Sequence, residues 1–156
     1  MCIIIDINTF GAVFNPESSN HDEFKPVFNW IYKRNGKVVY GGTKYKKELK
    51  NAGERYLEIF LNLKRVHRAV EVDQEKVDKR QDEIESKVSV KKFNDAHISA
   101  IVAASKCKLI CSLDSTAHPF FTDKRLYPKD ISVPKIYSRR SHEHLLCDRH
   151  IAKICE

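Results

Sequence analysis

Four acids stand where a folding chain would normally place an apolar or a capping residue. Asp6 closes the apolar run Cys2-Ile3-Ile4-Ile5 with no base beside it. Asp114 ends a second such run, Leu109-Ile110-Cys111 followed by Ser112-Leu113. Asp95 opens a small-residue helical stretch. Glu48 lies on the border of another helix's apolar stripe, roughly 60° from its centre at about 100° per residue. Carboxylates sharing a partly buried pocket repel one another and lose hydration. A divalent cation removes that cost. Magnesium takes oxygen ligands, usually one or two carboxylates together with waters and substrate phosphate, and a pair of metals can hydrolyse a phosphodiester. Singly, the acids have plainer roles. Asp95 suits a helix cap or dipole partner, and Glu48 an i, i+4 partner for Lys44. Asp6 and Asp114 have no such role, and the four together favour a site.

The elements that must position these acids alternate. Residues 2–6 read as a strand apolar on both faces, as in a covered parallel sheet. Residues 22–34 read as a helix with Phe24, Val27, Phe28 and Ile31 on one face, stopped by Asn35-Gly36. Val38-Val39-Tyr40 reads as a second strand. From Thr43, as N-cap, one long helix is expected to about Leu63, on the stripe Tyr45, Leu49, Ala52, Tyr56, Phe60 and Leu63. Val66 to Val72 is a third strand, and Asp73 to Ser86 a charged helix whose narrow stripe, Val77 and Ile84, suggests a surface or docking helix. Residues 94–114 (NDAHISAIVAASKCKLICSLD) form a buried helix followed by a buried strand. Ile136-Tyr137 suits a final strand, with Ser141 capping a last helix that holds Leu145, Leu146 and Ile151. The whole reads as a single α/β domain over residues 1–156: a central, mostly parallel twisted sheet with helices on both faces, three layers in all. Ligands in such sheets bind at the carboxyl ends of the strands, where strand order reverses.

Bulk properties narrow the class. The 156 residues are 42% hydrophobic and 31% charged, with net charge +7. From Glu71 to Lys87 there are seven acids against four bases, so the remaining chain is +10. A surface this basic favours polyanions, nucleic acid first among them. No apolar run approaches the roughly 18 residues of a membrane span, and the N-terminal run lacks the basic flank of a signal peptide. Five cysteines with no Cys-x-x-Cys pair suggest a reducing, cytoplasmic setting without zinc.

Four stretches carry a resemblance: IIDINTF at 4–10, GGTKYKKEL at 41–49, the segment 94–114, and KIYSRRSHEHLL at 135–146. Together they resemble the bacterial PIN-domain nucleases over most of the chain. The resemblance implies a three-layer PIN-like fold and cleavage of RNA, less often single-stranded DNA, with Mg2+ or Mn2+. It places the metal-binding and catalytic acids at Asp6, Glu48, Asp95 and Asp114, with Asn8 and Ser112 as their polar supports. Many such proteins are the toxin half of a toxin–antitoxin pair or act in phage defence, which implies a protein partner: an antitoxin or a defence-complex subunit. Phe120 stands where relatives often carry a further acid, and Asp123 lies near it but out of step, which bears on a second metal.

Lys44, His97, Arg139 and Arg140 complete the candidate substrate contacts. Lys44 borders Glu48, His97 lies near Asp95 in the first turn of the small-residue helix, and the arginine pair suits phosphate. Plainer roles exist for each: ion pairing, packing and solvation. The leading expectation is a metal-dependent endoribonuclease. The alternative is a catalytically weak PIN scaffold that binds RNA or assembles into a larger complex. The acidic helix suits docking to a basic partner or self-association. A receiver-like signalling domain ranks lower, because Asp6 comes too early in the chain.

Overall fold

The computed structural model describes residues 2–147 and 152–156. Its centre is a five-stranded sheet in the order β3-β2-β1-β4-β5, with every pairing parallel. The strands are β1 (Cys2–Ile5), β2 (Lys37–Gly41), β3 (Ala69–Val72), β4 (Leu109–Cys111) and β5 (Lys135–Tyr137). β1 and β4 are wholly buried, which is why both read as unbroken apolar runs. Burying each isoleucine of β1 contributes about 1.5–3 kcal/mol.

Helices cover both faces, an arrangement consistent with a three-layer PIN-like fold. One face carries α1 (Phe10–Phe14), α2 (His21–Lys33) and α4 (Glu54–Arg65), joined by an aromatic cluster. Phe10 stacks on Phe60, Phe60 meets Tyr40 of β2 edge-on at 4.5 Å, and Phe14 meets Phe28 and Tyr32. The other face carries α5 (Gln74–Lys87) and α6 (Ala96–Ser105), packed on each other with α6 over β1, β2 and β3. The short α7 (His118–Phe121) and the turn after it close that face, where Tyr127 Oη bonds Ser99 Oγ of α6 at 3.1 Å. The switch in chain direction falls between β1 and β4: β1 to β3 progress one way, β4 and β5 the other.

The structure corrects several sequence readings. The long helix from Thr43 is two helices, α3 (Thr43–Asn51) and α4, because Gly53 takes φ 113°, a left-handed conformation that ends one helix and turns the chain. Thr43 is not the cap of α3 but its first residue. Gly42 is the N-cap, and Asp78 of α5 accepts from Thr43 N at 2.8 Å and from Thr43 Oγ1 at 2.6 Å. The narrow stripe of α5 is fully buried, since the alanines of α6 let the two helices come close. The third strand is shorter than expected, beginning at Ala69. The last helix is a 3-10 turn over Arg140–Leu145, with Leu145 and Leu146 buried. Ile151, expected in that helix, lies outside the described residues. No helix among the described residues is long and apolar enough to cross a membrane.

Candidate functional site

β1 runs straight into Asp6, whose amide still bonds Cys111 O of β4 at 2.9 Å. The sheet thereby carries the carboxylate to the carboxyl edge at the switch point, and burial leaves it only 2% exposed. Ser112, next after β4, donates from Oγ to Asp6 Oδ2 at 3.0 Å, and Asn8 N donates to Asp6 Oδ1 at 3.3 Å. The same Ser112 Oγ accepts from Asp114 N at 3.1 Å. One hydroxyl thus ties the ends of β1 and β4 together. Thr9 adds a second tie, accepting from Leu113 N at 3.0 Å. Below them, Tyr45 of α3 donates to Ile5 O at 2.8 Å and anchors that helix against β1.

Asp95 holds the N-cap position of α6, yet its side chain makes no capping bond. It is 8% exposed, so the carboxylate is buried for some reason other than capping. Glu48 reaches the cluster from α3, and its Oε2 lies 2.9 Å from His97 Nε2 of α6. His97 is 1% exposed, and its Nδ1 has no partner. Lys44, one turn before Glu48, bonds the backbone carbonyl of Asn94 and, at 3.0 Å, Asn94 Oδ1. It therefore neighbours Asp95 instead of pairing with Glu48 alone.

The electrostatics follow from this packing. Burial, then the nearby Asp95 charge, pushes the Asp6 carboxyl up to about 6, against the pull of its Ser112 and Asn8 hydrogen bonds. Burial also raises Asp95. His97 and Lys44 pull the other way, and Glu48 and Asp114 add to the rise. Burial works to raise Glu48 too, but the His97 hydrogen bond and charge, with Lys44, leave it below its ordinary value. Asp114 is held down first by the Thr116 hydroxyl, which donates to Oδ1 at 2.6 Å, and then by backbone amides that outweigh its slight burial.

No family model, curated protein or solved structure matches this chain. The site must be read from its own chemistry.

A groove of about 530 Å³ opens beside Asp95 and Glu48, lined by Ile7, Asn8, Gly11, Glu48, Asn51, Ala52, Tyr56, Asn94 and Asp95. A second hollow of about 640 Å³ lies beyond Glu48 between α3 and α5, where Lys44 and Lys47 face Asp78 and Asp82. Asp95 lines the first, and Glu48 stands between the two. The structure thus brings Asp6, Asn8, Lys44, Glu48, Asp95, His97, Ser112 and Asp114 to one sheet edge. It does not bring Arg140 there. Arg140 lines a separate small hollow beside α2, where its amide bonds Glu23. Arg139 is exposed after β5. Phe120, at the position where the resemblance implies an acid, stacks on Phe93 with ring centroids 4.8 Å apart. His118 of α7 bonds Ser112 O at 3.1 Å. Sequence reading missed Thr9, Asn94 and Thr116. The first and last are common turn residues with no distinguishing spacing, while Asn94 directly preceded a chosen acid and was the one within reach.

Proposed function

We propose that this protein is a metal-dependent nuclease, with RNA as substrate, working at the carboxylate groove over β1 and β4. The observation that carries the reading is the burial of Asp6 beside Asp95 at the switch point of a parallel sheet, two like charges at the place where such sheets bind ligands. Nothing positive neutralises that pair completely, and the raised Asp6 carboxyl is the sign of it.

The donor set suits an oxygen-preferring divalent cation. Among the described residues, no three His, Cys, Asp or Glu side chains are gathered into a ready cage. Magnesium and manganese sites of the substrate-assisted kind need none, since one or two carboxylates, water and substrate phosphate complete them. Asp6 and Asp95 would hold the cation, with Asp114 and Glu48 at its margins. When bound, such an ion activates water and stabilises charge on phosphate oxygens.

The chain's own groups do the rest. Ser112 and Asn8 fix the two oxygens of Asp6, so its orientation does not depend on the ligand. His97 fixes Glu48 at the groove wall, where the carboxylate can take a proton from an attacking water. Lys44 offers positive charge beside Asp95, suited to a backbone phosphate. The basic surface beyond draws a polyanion toward an acidic centre. Toxin or defence effector is the role we infer for such a nuclease, acting with a protein partner.

Phe120 favours one other reading, a catalytically weak PIN scaffold that binds RNA or assembles with partners. One experiment separates the two. Cleavage of total RNA should require Mg2+ or Mn2+ and be lost in both Asp6→Asn and Asp114→Asn, each folded by circular dichroism. Cleavage that persists in both variants with metal chelated would sink the nuclease, and RNA binding without cleavage in any metal would favour the scaffold.

A further inference from the structure

Arg140, set apart from the carboxylates, lines a hollow of about 250 Å³ along one side of α2. Lys25 and Asn29, and likewise Trp30 and Arg34, are four residues apart and share that face of the helix. Arg140 and Glu143 form the facing wall, from the 3-10 turn Arg140–Leu145. Two bonds fix that wall to α2: Arg140 N donates to Glu23 Oε2, and Tyr137 Oη to Glu23 O, both at 2.8 Å. Lys25, Arg34 and Arg140 are exposed, and among the described residues none of them makes an ion pair. The acids Asp22 and Glu143 line the hollow too, equally unpaired. Three bases against two acids leave one positive charge, the complement of a single phosphodiester.

Trp30 is an independent sign. It is 1% exposed, and its Nε1–H is buried with no acceptor among the described residues. Such donors are nearly always paired in a native interior. Gly36 holds the indole in place, since a Cβ there would come within 2.5 Å of Trp30 Cε3. Topology joins the hollow to the candidate site. β1, β4 and β5 are parallel neighbours, so Asp6, Asp114 and Arg139 lie past three successive strand ends on one sheet edge. At about 4.8 Å per strand, the 3-10 turn starts roughly 10 Å from the end of β1.

We propose that the hollow seats a backbone phosphate of an RNA strand whose cleaved segment lies in the carboxylate groove, a proposal that rests on RNA being the substrate. Arg34 and Arg140 grip the phosphate from two walls, as guanidinium forks suit its oxygens. Lys25 adds charge, and a phosphate oxygen supplies the acceptor that Trp30 lacks. A contact of this kind reads no bases; it sets the strand's register.

Trp30 is the chain's one tryptophan, so its fluorescence reports on the hollow directly. The test titrates metal-free full-length protein with single-stranded oligouridylate over a series of salt concentrations. Binding should change the Trp30 emission. Arg34→Gln/Arg140→Gln, confirmed folded by circular dichroism, should bind about tenfold more weakly, with a salt slope shallower by about 0.7, the value for one phosphate. Lys25→Gln alone should shift both in the same direction. Lys106→Gln/Lys108→Gln removes two exposed charges before β4, at the opposite edge of the sheet, and should keep the wild-type slope. Unchanged emission on RNA binding, a wild-type slope in the arginine variant, or equal losses in both double variants overturns the proposal. So does the same emission change with inorganic phosphate or polyglutamate at equal charge. A chain that binds no RNA at all fails the RNA reading itself, whereas binding that ignores the hollow fails this proposal alone.

Discussion

Asp6 and Asp114 occupy equivalent places, each just past the carboxyl end of a central strand, and they are held in opposite ways. Asp6 is almost wholly buried, and its hydrogen bonds do not offset the loss of water and the Asp95 charge. Asp114 is half-buried and satisfied locally by the Thr116 hydroxyl and amide. Ser112 serves both, donating to one and accepting from the backbone of the other. Position along a strand does not fix how well a carboxylate's charge is satisfied. What fixes it is how many donors the surrounding turn supplies, and Asp6 receives too few for its burial.

The sharpest way to break this contrast is to remove charge at each place. On the nuclease reading, Asp6→Asn lowers metal-dependent cleavage by more than about a hundredfold, beyond the loss typical of a merely supporting group. The same change raises metal-free stability at pH 7.5 by about 1–3 kcal/mol, because it removes a buried charge. Asp114→Asn should reduce cleavage with no such gain. Denaturant unfolding of both variants checks the difference, and equal stability changes would erase the distinction drawn between them.

A pH series measures the Asp6 side without mutation. Its folded carboxyl sits near 6, against an ordinary 3.8, so between those values the folded chain holds more protons than the unfolded one. Stability therefore falls as pH rises through that window. Metal-free protein should be more stable at pH 5 than at pH 7 by about 1 kcal/mol from Asp6, with Asp95 adding in the same direction. Asp6→Asn should flatten that slope. Below about pH 4 the trend reverses, as Glu48 and Asp114, both held below their ordinary values, take up protons and lose their partners.

Smaller effects come from the supports. Ser112→Ala removes the shared hydroxyl and should cost about 1–3 kcal/mol, raise the Asp6 carboxyl further, and be visible in both unfolding and carboxyl NMR titration. Thr116→Val acts on the less buried member. It should raise the Asp114 carboxyl while changing stability by less than about 1 kcal/mol, with Asp6 unmoved.

The sheet was legible because its central strands are buried on both faces, and the runs Cys2–Ile5 and Leu109–Cys111 have no polar alternation to obscure them. The places of Asp6 and Asp114 at the strand ends were legible for the same reason, since they follow those runs. The break between α3 and α4 was not. The apolar stripe keeps its phase from Tyr45 to Leu63, and periodicity cannot register a change of axis made at Gly53. Nor could sequence show that Asp78 caps α3 from 35 residues away, or that His97 holds Glu48 across 49. Those bonds exist only once α5 and α6 have crossed the sheet. The stripe of α5 looked too narrow to bury because its width was judged alone, without the small side chains of α6 that receive it.

The tie from Ser112 to Asp6 joins residues 106 apart in the chain. During synthesis, everything needed for β1, β2 and β3 leaves the ribosome before β4 exists. Loop closure over that distance is a late and slow event in folding. The Ser112 support of Asp6 is therefore in place only when more than two thirds of the chain has been made, and a nascent or truncated fragment carries Asp6 without it. For a protein proposed to cut RNA, that delay keeps the growing chain inert beside the message that encodes it.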